Sequence, residues 1–245
     1  MNKNVKRTKE NYSMISLSII IPVFNEEKTI LQLLKLVKSE SIPGISFEII
    51  VINDGSRDSS LKILKKNKKY YDKLIDRQSS GGKGAAVLDG IISSTSEYIL
   101  FQDADLEYDP KDYKNLIEPV KRFKADLVIG SRFLAPKIIR TSYFLNQIGN
   151  IVITNLFNLF YNTSFTDIYS CYVLFKKEKL DQKKIKTNGW EQQAEILSNI
   201  VLNSKLHFEV PISYYGRTYE EGKKIRPYHI FKILYIIVIK RFLRK

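Results

Sequence analysis

From Leu17 to Gly130 the chain alternates short, continuous apolar runs with stretches in which apolar residues return every three or four positions. Leu17 to Val23, Phe47 to Ile52, Tyr98 to Phe101 and Asp126 to Gly130 are the runs, and they predict strands covered on both faces. Leu74-Ile75 predicts a further, shorter strand. Ile30, Leu33, Leu34 and Val37 recur at helical spacing, with Asn25 placed as N-cap and Glu26 and Glu27 in the first turn. Pro43-Gly44 stops that helix. Asn53 to Asp58 predicts a turn with a second helix beginning near Asp58, and Lys83 to Ser94 predicts a third through Ala86, Val87, Gly90 and Ile91. Strands alternating with helices of this length predict an α/β domain with a mostly parallel sheet.

The pattern changes after about Pro136. Thr141 to Thr166 contains no charged residue, and Asn146, Asn150, Thr154 and Asn158 return every four positions, a single polar stripe on an otherwise apolar helix. Two readings stand: a core helix, or a helix bordering a lipid-bearing acceptor. Another helix opens at Gly189 to Glu195, where Glu191 and Glu195 lie one turn apart, and Val210 to Ser213 predicts a strand followed by an exit turn. Ile230 to Ile239 is nearly all apolar between Lys232, Lys240, Arg241, Arg244 and Lys245. It reads as a basic amphipathic helix in a membrane interface, or as a terminal helix docked on the core.

Candidate chemistry collects where strands end. Asp54, Asp103, Asp105 and Arg132 each follow a predicted strand, and in parallel sheets ligands bind at the carboxyl ends. Asp103 and Asp105, one residue apart, can both face a hard cation. Mg²⁺ or Mn²⁺ is usually held by one or two carboxylates plus substrate phosphates, so a diphosphate would complete such a site. Gly81-Gly82-Lys83-Gly84 supplies a flexible loop with a cation, in neither the P-loop nor the dinucleotide-binding glycine order. Asp167 is the first charge after the uncharged stretch, and it reads either as a functional group or as a cap. Arg217, Lys223, Lys224 and Arg226 cluster within ten residues and suit phosphate.

The net charge of +14 over 245 residues points to anionic partners: nucleic acid, anionic lipid or a phosphorylated substrate. Residues 217–245 hold nine Lys/Arg and two Glu, half of that net charge, beside an apolar tail rather than along a basic-aromatic stripe. That placement argues against nucleic acid. The single cysteine, Cys171, excludes a disulfide within the chain and fits a reducing compartment. Residues 1–16 are polar and basic without a signal-peptide core, and no apolar run reaches the ~18 residues of a membrane span. The expected organisation is a basic extension over 1–16, one catalytic domain over 17–226 and a membrane-interface tail over 227–245.

Eight motifs in order resemble glycosyltransferase family 2 enzymes of the GT-A fold, a Rossmann-like α/β architecture. They are Ile21-Pro22-Val23-Phe24-Asn25-Glu26-Glu27, Asn53-Asp54-Gly55-Ser56 with Asp58, Gly82-Lys83-Gly84-Ala85-Ala86, Asp103-Ala104-Asp105, Gly130-Ser131-Arg132, Thr166-Asp167 with Ser170, Gln193 with Glu195, and Val210-Pro211-Ile212-Ser213-Tyr214 with Arg217. The set is most similar to polyprenyl- and dolichyl-phosphate sugar synthases. The resemblance implies that Pro22, Asn25 and Glu27 line the nucleotide pocket, Asp54 contacts the base, and Lys83 and Gly84 lie near ribose and diphosphate. It implies a metal, Mg²⁺ or Mn²⁺, on Asp103 and Asp105, with Asp103 also near the ribose. Arg132, Arg217 and Lys224 would hold diphosphate or acceptor phosphate, Gln193 and Glu195 the sugar or acceptor side, and Asp167 the vicinity of the reacting centre. Asn53 stands where relatives often carry Asp, and Cys171 where they often carry Gly. The implied activity is inverting transfer of a hexose from a UDP-glucose or GDP-mannose type of donor to a polyprenyl phosphate, by an enzyme peripheral on the cytoplasmic face of a membrane. Transfer to a glycan is the alternative. A nucleotidyltransferase would require a glycine-rich N-terminal phosphate loop, which Leu17 to Glu27 lacks.

Overall fold

The structure, a computed structural model, describes residues 14–134, 140, 143–218, 220–221 and 229–242. Lys223, Lys224 and Arg226 of the expected phosphate cluster lie outside the described residues. Seven strands form one sheet in the order β3-β2-β1-β4-β6-β5-β7: β1 Ile15–Val23, β2 Ile45–Asp54, β3 Lys73–Arg77, β4 Tyr98–Phe101, β5 Leu127–Ser131, β6 Val173–Lys176 and β7 His207–Pro211. The helices are α1 Ile30–Ser39, α2 Ser60–Lys66, α3 Lys83–Ser93, α4 Tyr113–Phe123, α5 Phe144–Tyr161, α6 Gln192–Asn203 and α7 His229–Phe242. Pairing is parallel except for β6, which runs antiparallel between β4 and β5. This is the mixed α/β sheet that the apolar runs predict, with one reversed strand that they do not.

The central strand explains the apolar runs. In β1, Ile19 pairs with Ile49 of β2 on one side and with Leu100 of β4 on the other. Ile19, Ile20 and Ile21 are all fully buried, because both faces of the sheet are covered. The β1–β2–β3 run extends to one side and β4 lies on the other, so the strand order reverses between β1 and β4. Reversal leaves a crevice at the carboxyl ends there. Phe101, the last residue of β4, pairs with Ile20, so the chain leaves the sheet before β1 ends and carries Asp103 and Asp105 into that crevice.

Three local departures from the sequence pattern have physical reasons. Helix α1 starts at Ile30, not after Asn25, which takes a left-handed conformation (φ 54°) in a turn. Its Oδ1 accepts the Arg57 N–H and its own N–H goes to Ser56 Oγ, so Asn25 binds two loops together instead of capping. Helix α4 has Tyr113, Leu116, Ile117 and Val120 buried, a legible helical spacing that Pro119 in its interior obscures. The polar stripe of α5 faces inward. Asn150 Nδ2 donates to Asp167, Thr154 Oγ1 accepts the Ile168 N–H, and Asn158 bonds the backbone of Phe165 at both N and O. The apolar positions Phe144, Leu145, Ile148, Ile151, Val152 and Leu159 face outward, the first two each 72% exposed.

Helix α7 docks one side on α5 and α6 through Ile233, Ile236 and Ile237. Tyr161 of α5 donates its hydroxyl to the Ile237 carbonyl at 3.0 Å, and Phe160 meets Phe242 edge-on. The other side leaves Phe231 and Tyr235 exposed. The terminal helix thus has a core-docked face and an open face.

Helix α3 approaches the sheet at Gly90, where a Cβ would come within 2.5 Å of Ile20 Cγ2 and 2.9 Å of Ile52 Cδ1. Both isoleucines are fully buried in the sheet and have nowhere to move. Gly90→Ala gains about 1 kcal/mol of helix propensity and meets an overpacking cost of about 1–3 kcal/mol. Net destabilisation is expected, read as a lower midpoint in urea unfolding; a midpoint at or above that of the parent would contradict this packing.

Candidate active site

A cavity of about 690 Å³ occupies the crevice at the carboxyl ends of β1, β2, β4 and β5. Its floor carries an alternation of carboxylates and cations. Lys83 Nζ lies 2.5 Å from Asp103 Oδ1. Arg217 reaches three acids: Nη2 to Asp105 Oδ2 at 2.8 Å, Nη1 to Glu26 Oε2 at 3.2 Å, and Nε to Glu107 Oε1 at 3.3 Å. The Arg217 backbone N–H also donates to Glu107, at 2.9 Å. Glu107 Oε2 accepts from the Tyr214 hydroxyl. An isolated bridge between Tyr108 and Tyr214 brings the chain after β7 back against the Asp103–Asp105 turn, and this places Arg217.

The charges bend each other's titration. Burial, then the neighbouring Asp103 and Glu107 carboxylates, push Asp105 up to about 7, with Arg217 acting the other way. Burial opposes the Lys83 ammonium, but Asp103 outweighs it and holds Lys83 above the ordinary lysine range. Arg132 is likewise held charged against burial by Asp167. Cys171 lines the cavity with its thiol pushed up by burial and Asp103, so it is a neutral wall at neutral pH.

Arg132 and Asp167 form a forked pair. Nε to Oδ2 is 2.7 Å and Nη2 to Oδ1 is 2.8 Å, with the Arg132 backbone N–H adding a third contact at 3.1 Å. Asp167 is fully buried, and Asn150 donates to its Oδ1 as well. Its carboxylate is therefore spent on orienting the guanidinium, which lies 5.0 Å from the Tyr214 ring centre and lines the cavity. Asp54 behaves similarly. Its carboxylate takes the N–H groups of Gly81 and Gly82, the Ser80 hydroxyl and the Arg77 guanidinium, so it anchors the glycine loop. Gly82, at φ 92°, caps α3, and a Cβ at Gly82 or Gly84 would come within 2.7 Å of the Asn188 carbonyl.

Of the residues singled out in the sequence, Pro22, Asp54, Lys83, Asp103, Asp105, Arg132, Gln193 and Arg217 line the cavity. Asn25 and Glu27 sit outside that lining, engaged with the Ser56–Ser59 turn; Glu27 takes the Ser59 N–H. Gly84 lies behind the loop, its N–H on the Asn188 carbonyl. Gln193 donates to the Ile168 and Ser170 carbonyls. Glu195 is fully buried behind the wall. It accepts from the Lys186 and Thr187 backbone and from the Thr187 hydroxyl, with Lys240 Nζ of α7 at 2.5 Å.

Sequence reasoning missed Glu26, Glu107, Tyr214, Trp190 and Cys171 as lining residues. Glu107 had a signal, as the next alternate position after Asp103 and Asp105. Leu106, at φ 63°, turns the chain there and aims Glu107 back at Arg217. Trp190 lies under Lys83, whose Nζ is 5.5 Å from the ring centre.

Asp103 and Asp105 are residues that could hold a divalent cation given further ligands. Among the described residues no group of three or more His, Cys, Asp or Glu side chains is placed to hold a metal ion. Asp103 and Asp105 offer hard oxygens only, so a cation there needs further ligands from a diphosphate and water.

The fold and the matched residues agree with known proteins. Residues 18–182 match the family described as glycosyl transferase family 2. An uncharacterized protein of Methanocaldococcus jannaschii is 28% identical over 228 residues, 91% of each chain. The poly-beta-1,6-N-acetyl-D-glucosamine synthase of Staphylococcus epidermidis is 29% identical over 88% of this chain, which spans about half (52%) of that longer protein. Among solved structures, glucosyl-3-phosphoglycerate synthase from Mycobacterium tuberculosis, in complex with Mn²⁺, UDP and phosphoglyceric acid, shares the fold. Its TM-score is 0.69 at 15% identity, over 93% of this chain and 79% of that one. The family match takes in six of the seven strands, the glycine loop and both crevice aspartates, and on it this chain belongs to glycosyl transferase family 2.

Proposed function

We propose that this enzyme moves a hexose from a nucleotide-diphosphate sugar, of the UDP-glucose or GDP-mannose type, to a polyprenyl or dolichyl phosphate, with inversion at the anomeric carbon. The observation that carries the reading is the shape of the cavity. Its charged end, at Asp103, Asp105, Lys83 and Arg217, continues into an apolar end between α5 and α7, lined by Leu145, Ile148, Val152, Ile230 and Ile233. A phosphate head on a hydrocarbon tail matches a cavity that offers Lys83, Arg132 and Arg217 at its charged end and an apolar lining at the other.

Leu145, Ile148 and Val152 line this mouth and also face outward, beside the open Phe231 and Tyr235 of α7 and the exposed Lys232. An apolar face with basic neighbours supports peripheral association with an anionic membrane, on its cytoplasmic face. No helix among the described residues is long and apolar enough to cross a membrane.

Within this reading Pro22 and Asp54 face the nucleotide, while Asn25 and Glu27 shape its rim. Asp103 and Asp105 would hold Mg²⁺ or Mn²⁺, which would supply charge neutralisation at the diphosphate. Lys83 and Arg217 are the chain's own cations for that charge. Arg132, clamped by Asp167, which Asn150 braces in turn, presents the acceptor-phosphate contact, and Lys224 belongs to the same set by sequence. A lipid phosphate oxygen attacks the anomeric carbon from the face opposite the diphosphate. A phosphate monoester's second pKa is about 6, so the nucleophile is ionised at neutral pH and no side chain needs to act as a strong base. Asp167 is thereby a positioning residue. A glycan acceptor is the second reading, favoured by the likeness to the N-acetyl-D-glucosamine polymer synthase.

Three outcomes are expected. Radiolabelled sugar from a panel of UDP- and GDP-sugars, offered with polyprenyl phosphate vesicles, should enter the organic-extractable lipid from one donor and stop doing so with chelator. Label in a water-soluble glycan, or donor hydrolysis alone, would move the acceptor away from lipid. Asp103→Ala should lower turnover by at least about a hundredfold in a protein that still folds, with a lower melting temperature because Lys83 loses its partner; full activity would sink the metal assignment. Because burial and the neighbouring Asp103 and Glu107 carboxylates push Asp105 up to about 7, and a metal ligand must lose its proton, Mn²⁺ affinity should fall as the pH drops below that, by up to about tenfold per unit. A calorimetric titration from pH 5.5 to 8.5 with a flat affinity would contradict this.

A further inference from the structure

We propose that Lys240, near the end of α7, is a positioning residue for the nucleotide-sugar donor, acting through Glu195 on the glycine loop that carries Lys83. The inference rests on the donor reading given above and adds a residue distant in sequence from every donor motif.

The contacts form a continuous path. Lys240 Nζ lies 2.5 Å from Glu195 Oε1 and donates to the Lys184 carbonyl at 2.8 Å. The same Glu195 carboxylate gathers the Lys186 N–H at 3.0 Å, the Thr187 N–H at 2.9 Å and the Thr187 hydroxyl at 2.6 Å. Gln192 adds a bond to the Thr187 carbonyl. One buried carboxylate therefore sets the course of the backbone from Lys184 to Thr187. The next residue, Asn188, accepts the Gly84 N–H at 2.9 Å, and its carbonyl lies so close that neither Gly82 nor Gly84 has room for a side chain. Two residues on, the Trp190 ring lies beneath the Lys83 ammonium, and the Trp190 carbonyl is held by the Tyr169 hydroxyl. The segment that Glu195 shapes is thus the wall against which the glycine loop and Lys83 are seated.

Charge makes Lys240 the sensitive end. Glu195 is fully buried, and a buried carboxylate without a cation is strongly disfavoured. Burial works to raise its pKa, but Lys240 and Thr187 together hold it below the ordinary carboxylate range. A protonated Glu195 would accept more weakly from the Lys186 and Thr187 amides, and the wall would loosen. Lys240 itself keeps 20% of its side chain exposed, so its replacement spares the core.

Lys240→Met keeps the length and removes the charge; Lys240→Arg keeps the charge. UDP and GDP are titrated calorimetrically in the presence of Mn²⁺, and amide exchange is followed across residues 80–88. Lys240→Met should weaken nucleotide binding by roughly tenfold, the usual scale of coupling between sites. It should also speed exchange at Gly84 and leave kcat at saturating donor within about twofold. Lys240→Arg should restore both. Glu195→Gln, which keeps the shape and lowers the charge, should move affinity and exchange in the same direction. Wild-type affinity and unchanged exchange in Lys240→Met, whatever its melting temperature, would overturn the inference and leave the donor site standing. If neither nucleotide binds the wild-type protein with Mn²⁺, the donor reading falls and this inference falls with it.

Discussion

Carboxylates and cations share one partly buried crevice, and neither set is readily tolerated there without the other. Glu26, Asp105 and Glu107 converge on Arg217, Asp103 on Lys83, and Asp167 on Arg132. Burying an ion without its counter-ion costs several kcal/mol. The partners come from distant parts of the chain: Lys83 from the start of α3, Arg132 from the end of β5, and Arg217 from beyond β7. The crevice is therefore assembled only when both sides of the sheet are in place. The antiparallel β6 joins them, by pairing with β4 on one edge and β5 on the other.

The same economy of charge explains why two acids flagged from sequence end up as braces. Asp54 and Asp167 are buried almost completely, and each spends its oxygens on an arginine plus backbone or side-chain donors. Their effect on a ligand passes through what they hold, a glycine loop in one case and a guanidinium in the other. Glu195 is a third instance, set behind the wall rather than against the cavity. Asp54 ends an apolar strand, Asp167 follows the uncharged α5 and Glu195 lies in the first turn of α6. Whether each meets a ligand or a neighbouring loop depends on donors that are far away in sequence.

Helix α5 shows how a polar stripe misleads when read alone. A stripe on an apolar helix ordinarily marks the solvent side. Here Asn150, Thr154 and Asn158 point inward because the segment from Thr163 to Ile168 runs past without a regular partner and needs hydrogen bonds. Side-chain amides and hydroxyls supply them. The cost is an outward apolar face, continued by Phe231 and Tyr235 of α7, and an apolar end to the cavity.

The sequence alone was enough for the α/β class, for six of the seven strands (β7 read three residues late) and for the position of the Asp103–Asp105 turn. Continuous apolar runs and helical spacing are local consequences of burial, and they survive without tertiary knowledge. Family membership was legible for the same reason, since motifs at strand ends keep their order along the chain. Tertiary structure decided the rest. Strand β6 is four residues long and is held by pairing with β4 on one edge and β5 on the other. Asn25 lost its cap role to a contact with Arg57 across more than thirty residues. Arg217, Glu26 and Glu107 became one cluster only through the bridge between Tyr108 and Tyr214. Electrostatic pairing acts through space and not along the chain, so periodicity carries no trace of which charge meets which.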